Sequence, residues 1–114
     1  MIMEKNYEEI VTQIIANSGF SRSCMLEAID KAQQGHFEES DRLKKEANDY
    51  LNAAHQIQTE LIQEEVRGNV TPPTLLMIHA QDHLMTAITI KELAEKLIFE
   101  IKARIDDGKK GECL

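Results

Sequence analysis

The chain has 114 residues, 13 of them Lys or Arg and 20 Asp or Glu, for a formal charge of −7. That length holds one domain, and the acidic balance lacks both the basic footprint of a nucleic-acid binder and the polybasic segment that holds proteins on anionic membranes. With 42% hydrophobic residues, 4% aromatics and no Trp, the composition is globular, and the core has to be built from Leu, Ile, Met and Ala, the filling of helix bundles.

Glycine and proline punctuate the chain at Gly35, at Gly68 through Pro73, and at Gly108 and Gly111. Three long segments without internal proline lie between these stops. The first runs from about Glu4 to Gln34. Its positions Ile14, Ser18, Ser21, Met25, Ala28 and Ala32 alternate steps of four and three, a heptad face that Val11, Ile15 and Ile29 widen. Gly19 interrupts this segment at a cost of about 1 kcal/mol against alanine, which predicts a close-packing role. The second segment runs from about Phe37 to Arg67, with Leu43, Ala47, Tyr50, Ala54, Ile57 and Leu61 in the same rhythm beside Leu51, Ile62 and Val66. The third opens on Thr71-Pro72-Pro73, where Thr71 is a candidate N-cap and Pro72 suits a first helical turn. Its expected core face is Leu76, His79, His83, Thr86, Ile90, Leu93 and Leu97, extended by Ile101 and Ile105.

Each helix would be roughly 30 residues, or about 45 Å long. Short connections make sequential helices antiparallel neighbours, so the expected fold is all-α: an up-down-up three-helix bundle over residues 1–106, followed by a flexible tail over 107–114. Helix 3 is apolar around much of its circumference, with Leu75, Leu76, Ile78, Leu84, Met85, Ile88 and Ile90, and that excess predicts a self-association face.

The opening Met1–Asn6 carries no basic region ahead of an apolar core, and no stretch nears the ~20 apolar residues of a membrane span. Cys24 and Cys113 are too few for a disulfide framework. A reducing, cytoplasmic protein is expected, with Cys24 a small core residue and Cys113 a free surface thiol.

The unusual feature is His79-Ala80-Gln81-Asp82-His83 inside an apolar helix. At about 100° per residue, His83 falls about 40° from His79 and Asp82 about 60° to the other side, so three titratable groups share one face. Burying such groups is costly unless they are paired or ligate a metal. Two chemistries fit. His at i and i+4 is a metal-ligating geometry, but the metalloprotease motif H-E-x-x-H needs its base where Ala80 stands. Alternatively, a neutral imidazole can attack a phosphoryl group and hold it as phosphohistidine, with His83 or Gln81 donating a hydrogen bond to the phosphoryl oxygens. No P-loop or Gly-rich nucleotide motif is present, so the phosphoryl group would come from another protein. Around this motif, His55, Gln58 and Thr59 read as interhelical hydrogen-bonding residues, His36 as a surface cap, Arg22 as an ion-pair former and Met77 and Met85 as packing.

At this motif the chain resembles the lactose/cellobiose-specific enzyme IIA family of the bacterial phosphoenolpyruvate-dependent sugar phosphotransferase system. The resemblance spans about Tyr7 to Arg104. It is strongest over Leu75-Leu76-Met77-Ile78-His79-Ala80-Gln81-Asp82-His83-Leu84-Met85, then over Ala54 to Ile62 with Glu65 and Gly68, and then at Gly19, Arg22-Ser23 and Glu27-Ala28. Ser21 and Ser40 stand where the family has alanine, His36 where it has a capping aspartate, and Pro72-Pro73 makes a stiffer loop.

The resemblance implies a homotrimer of three-helix subunits, a nine-helix bundle. It implies that His79 is phosphorylated by the phosphohistidine of the carrier HPr and passes the group to a cysteine of a cognate IIB protein. That protein in turn serves a membrane IIC permease for a lactose/cellobiose-type (β-glucoside or chitobiose-like) sugar. His83 resembles the residue that hydrogen-bonds the phosphoryl group. Asp82 from each of three subunits would meet a divalent metal, Mg2+, on the threefold axis. The competing reading is a non-catalytic trimeric helical adaptor or metal-binding bundle using His79, Asp82 and His83.

Overall fold

The computed structural model describes residues 4–112, with side chains from 6 to 108. It contains α1 (Glu4–Gln33), α2 (Phe37–Val66) and α3 (Leu75–Glu112), with no strand among the described residues. They form a rod of 65 × 21 × 20 Å.

Both expected glycine stops terminate helices by one device. Gly35 has φ 82° and Gly68 φ 98°, backbone that glycine adopts without a Cβ penalty. At the first, the amides of Gly35 and His36 donate to the carbonyls of Ala32 and Lys31, each at 2.9 Å; at the second, those of Gly68 and Asn69 donate to Glu65 and Glu64 at 3.0 and 2.9 Å. These paired bonds satisfy carbonyls that a helix end otherwise leaves open. Glu64 also takes side-chain hydrogen bonds from Asn69 and Arg67, at 2.8 and 2.6 Å, which hold its carboxyl below the usual range. His36 precedes α2 and is exposed, but its side chain makes no capping hydrogen bond.

The start of α3 differs from expectation. Its cap is Thr74, whose Oγ1 accepts the Met77 N–H at 3.2 Å while its carbonyl accepts the Ile78 N–H at 2.9 Å. A residue that precedes proline is driven out of helical backbone, so Pro72, followed by Pro73, cannot supply the first helical residue that a Thr71 cap requires, and Thr74 caps the helix instead. At its other end α3 continues as helix through Glu112, past the expected tail boundary. Cys113 lies outside the described residues.

The α1 face is buried as its spacing predicts: Ile14, Ser18, Ser21, Met25, Ala28 and Ala32 are each at most 1% exposed. On α2 the buried residues include Leu43, Ala47, Leu51, Ala54 and Leu61, whereas Tyr50 points outward and stacks obliquely on Phe20 at 5.2 Å. On α3 the core face lies one residue further along than expected. Met77, Ala80, Leu84, Ala87, Ala94 and Ile98 are buried, and Leu76, Leu93 and Leu97 are 46%, 62% and 45% exposed. Small alanines let α3 approach its neighbours closely, which leaves its larger aliphatic residues outside. Gly19 has open space around an added Cβ, so it serves no close contact within the chain.

The Ser40 hydroxyl, buried, donates to the Ala28 carbonyl at 2.8 Å and ties α2 to α1. Ser40→Ala should lower stability by about 1 kcal/mol, read as a shifted denaturation midpoint with unchanged slope. The carbonyl it abandons keeps a helical partner, so a loss well beyond that would mean the hydroxyl also supports packing.

Candidate functional site

His79 and His83 project from α3, about one and two turns into the helix. Their i, i+4 spacing stacks the rings on one side: the centroids are 4.4 Å apart, the planes stand at 86°, and the two Nε2 atoms are 3.0 Å apart. A hydrogen bond between two Nε2 atoms needs one protonated and one bare nitrogen. His79 is exposed and His83 half-buried, so the more accessible imidazole is open to a visitor while its neighbour is held. Asp82 is exposed beside them.

Gln81 does not join this group. Its side chain accepts a 2.7 Å hydrogen bond from Gln58 Nε2 of α2 and its own amide lies 3.4 Å from Met77 Sδ. It therefore projects about 160° around α3 from His79. On that other flank α2, α3 and the loop between them enclose a cleft of about 280 Å³, with Gln58, Gln81, Ile62 and Ile78 among its walls. Gln58 thus makes the interhelical bond expected of it. Thr59 instead bonds within α2 to the carbonyl of His55, and His55 is exposed rather than near the core. Met77 packs in the core and Met85 is exposed. Cys24 is half-buried and free; burial, then the nearby Glu46 carboxylate, pushes its thiol up, the opposite of a reactive thiolate.

Among the described residues of one chain, no group of three or more His, Cys, Asp or Glu is arranged to hold a metal ion. A magnesium site at Asp82 would therefore need carboxylates from further copies. No described helix is long and apolar enough to cross a membrane. What one chain presents is an exposed imidazole bonded to a second. That pair can share a proton, and its bare nitrogen can bind a cation or attack an electrophile such as phosphorus.

Residues 9–102 match the family model for the lactose/cellobiose-specific IIA subunit of the phosphotransferase system. The chain belongs to this family. It is 47% identical over 96 residues to the lichenan-specific phosphotransferase enzyme IIA component of Bacillus subtilis, covering 84% of this chain and 87% of that one. Among solved structures it is similar to the cellobiose-specific enzyme IIA of Bacillus anthracis, with TM-score 0.85 and 46% identity over 93% of this chain and 95% of that one. It is also similar to the IIA(Chitobiose) chain solved in complex with HPr from the Escherichia coli N,N'-diacetylchitobiose branch, with TM-score 0.73 and 35% identity over 84% and 93% of the two chains. As a phosphotransferase-system IIA chain it carries His79, Gln81, Asp82 and His83 within the matched span.

Two contacts near the site join partners that no local signal in the sequence pairs. The Gln58–Gln81 bond joins polar residues 23 positions apart, and the Tyr7 hydroxyl reaches the loop ahead of α3, 65 residues away. Each depends on how the helices pack, which periodicity alone does not report.

Proposed function

We propose that the chain is a phosphoryl carrier: His79 accepts a phosphoryl group from phospho-HPr and passes it to a cysteine of a cognate IIB protein, which serves a membrane IIC permease. The observation that carries this reading is the exposed His79 ring with its Nε2 at 3.0 Å from His83 Nε2. With His79 protonated on Nδ1 only, its Nε2 lone pair is the nucleophile, and the His83 N–H aimed at it is the donor that holds it until the phosphorus arrives. As the new N–P bond forms at His79 Nε2, the bond from phosphorus to the donor histidine breaks and its electron pair returns to that ring. The His83 N–H then turns to a phosphoryl oxygen, where negative charge is concentrated. In the second step a IIB thiolate attacks the phosphorus and the pair of the breaking P–N bond restores neutral His79. Such a carrier works in the cytoplasm, between HPr and the inner face of the permease. Relatives named for lichenan and cellobiose support a β-linked, lactose/cellobiose-type sugar.

Assembly belongs to the same reading. Contacts Ala28–Ser40, Cys24–Glu46 and Phe20–Tyr50 run in opposite senses along α1 and α2, while Tyr7–Thr74 joins the starts of α1 and α3. These support the up-down-up order. On α3 the face opposite the core exposes Leu75, Ile78, Met85 and Leu93, and all lie within about 60° of Asp82. An apolar strip with a single acid at its centre suits a homotrimer with α3 innermost. Asp82 from the three subunits would hold a Mg2+ ion, which supplies the positive charge that three converging carboxylates require.

A label on nitrogen is a phosphoramidate, so the phosphoryl group taken from phospho-HPr should be lost in acid and kept in alkali, as intact mass after each treatment will show. An acid-stable label would put the group on a hydroxyl such as Thr86 and overturn the assignment to His79.

A further inference from the structure

A directed chain of hydrogen bonds ties the start of α1 to the start of the histidine-bearing helix. The Tyr7 hydroxyl donates to the Pro72 carbonyl at 2.8 Å and lies 2.5 Å from Thr74 Oγ1. Tyrosine has one O–H, so with that proton on Pro72 it is the Thr74 hydroxyl that donates to the Tyr7 oxygen. Thr74 Oγ1 accepts in turn from the Met77 N–H at 3.2 Å. Each group donates once, in the order Met77, Thr74, Tyr7, Pro72.

The surroundings leave this chain few substitutes. Pro72 and Pro73 carry no N–H, so this end of the loop is fixed through its carbonyls and side chains. In the first turn of α3, Leu75 is 82% exposed and Leu76 46%, and Met77 is the buried anchor. The helical register places the His79 N–H on the Leu75 carbonyl, inside that turn. Tyr7 itself is rooted by packing against the core cluster of Val11, Ile14 and Leu84. It also lies two positions ahead of the span that matches the family model.

We infer that Tyr7 is a positioning residue for His79, acting through Thr74 and Pro72 to hold the first turn of α3 from which that ring projects. The inference rests on the carrier reading only for its effect on phosphoryl transfer; the latch itself is a property of the fold.

Tyr7→Phe keeps the ring and its packing and removes the O–H. Amide hydrogen exchange at Ile78 and His79 should then speed up about tenfold, with Leu84 and Ala87 unchanged. The rate of phosphoryl uptake at saturating phospho-HPr should fall about three- to tenfold, with the half-saturating HPr concentration unaltered. Thr74→Val keeps the side-chain shape but also removes the cap on the Met77 N–H, so exchange at Ile78 and His79 should speed up by more than in Tyr7→Phe. Exchange at Ile78 and His79 matching the unaltered chain overturns the latch. A raised half-saturating concentration with an unchanged maximal rate overturns the positioning role and makes Tyr7 a docking contact. An unaltered chain that takes no label overturns the carrier reading instead, and the exchange arm, which needs no donor, still decides the latch.

Discussion

His79→Ala, supplied with phosphoenolpyruvate, enzyme I and HPr, should gain no phosphoryl mass, whereas His83→Ala should still gain it at a rate lowered about a hundredfold. The difference follows from the roles the 3.0 Å contact allows. On the carrier reading, removing His79 removes the atom that forms the bond to phosphorus, and no other exposed imidazole stands beside His83. Removing His83 leaves the nucleophile but takes away its hydrogen-bond donor to the transferring group. The loss of one such preorganised donor costs about 2.7–4 kcal/mol, or roughly 10²–10³ in rate. His83→Gln, which keeps an N–H of similar reach, should recover part of that loss. Gln81→Ala should leave the rate within about threefold, because its side chain is committed to Gln58 on the other flank of α3. Rapid quench followed by intact mass measures all four. Label on His79→Ala would move the acceptor elsewhere, and a His83→Ala chain as fast as its parent would reduce the contact between the two rings to a structural one.

The parts of this site that were legible in the sequence are those set within one helix. The i, i+4 placement of His79 and His83 and the offset of Asp82 need only the helical repeat, and the structure brings the two rings together accordingly. Gly35 and Gly68 stop helices because a positive φ is a local requirement. The α1 face was legible because that helix carries a single run of buried positions. On α3 the same reasoning failed by one residue, about 100° of rotation. Its buried stripe is marked by alanines, and its Leu and Ile residues are divided between two faces. Size then pointed to the wrong one, for the larger side chains are those that one chain leaves uncovered. Thr71 reads as the cap because Pro72 suits a first helical turn, but Pro73 drives Pro72 out of helical backbone and the role passes to Thr74. Gln81, a near neighbour of His79 along the chain, faces away from it in space, and its bond to Gln58 depends on packing between helices.

The misjudged face of α3 leads to the second large effect. If Leu75, Ile78, Met85 and Leu93 are covered by two further copies of the same helix, the Asp82 carboxylates meet where water is scarce. At an effective dielectric of 20 and a separation of about 5 Å, each pair repels by roughly 3 kcal/mol. A bound Mg2+ offsets that repulsion, and without it the carboxylates can only separate or take up protons. Asp82→Leu removes the charge and adds apolar contact, so its trimer should be more stable than that of the unaltered chain, with a melting temperature higher by at least about 5 °C in chelator. The unaltered trimer should lose stability when chelator is added, and the Asp82→Leu trimer should be indifferent to it, because ion binding stabilises only the assembled state that provides the site. Sedimentation equilibrium and thermal melts with and without chelator measure both effects. A monomeric Asp82→Leu protein would show that the ion holds the assembly together rather than relieving strain within it, and would sink this account of the axis. Labelling at His79 should persist in the Asp82→Leu trimer within about threefold, since the His79–His83 bond does not pass through the carboxylate. Charge at the axis and chemistry at the ring are thereby separable by a single substitution.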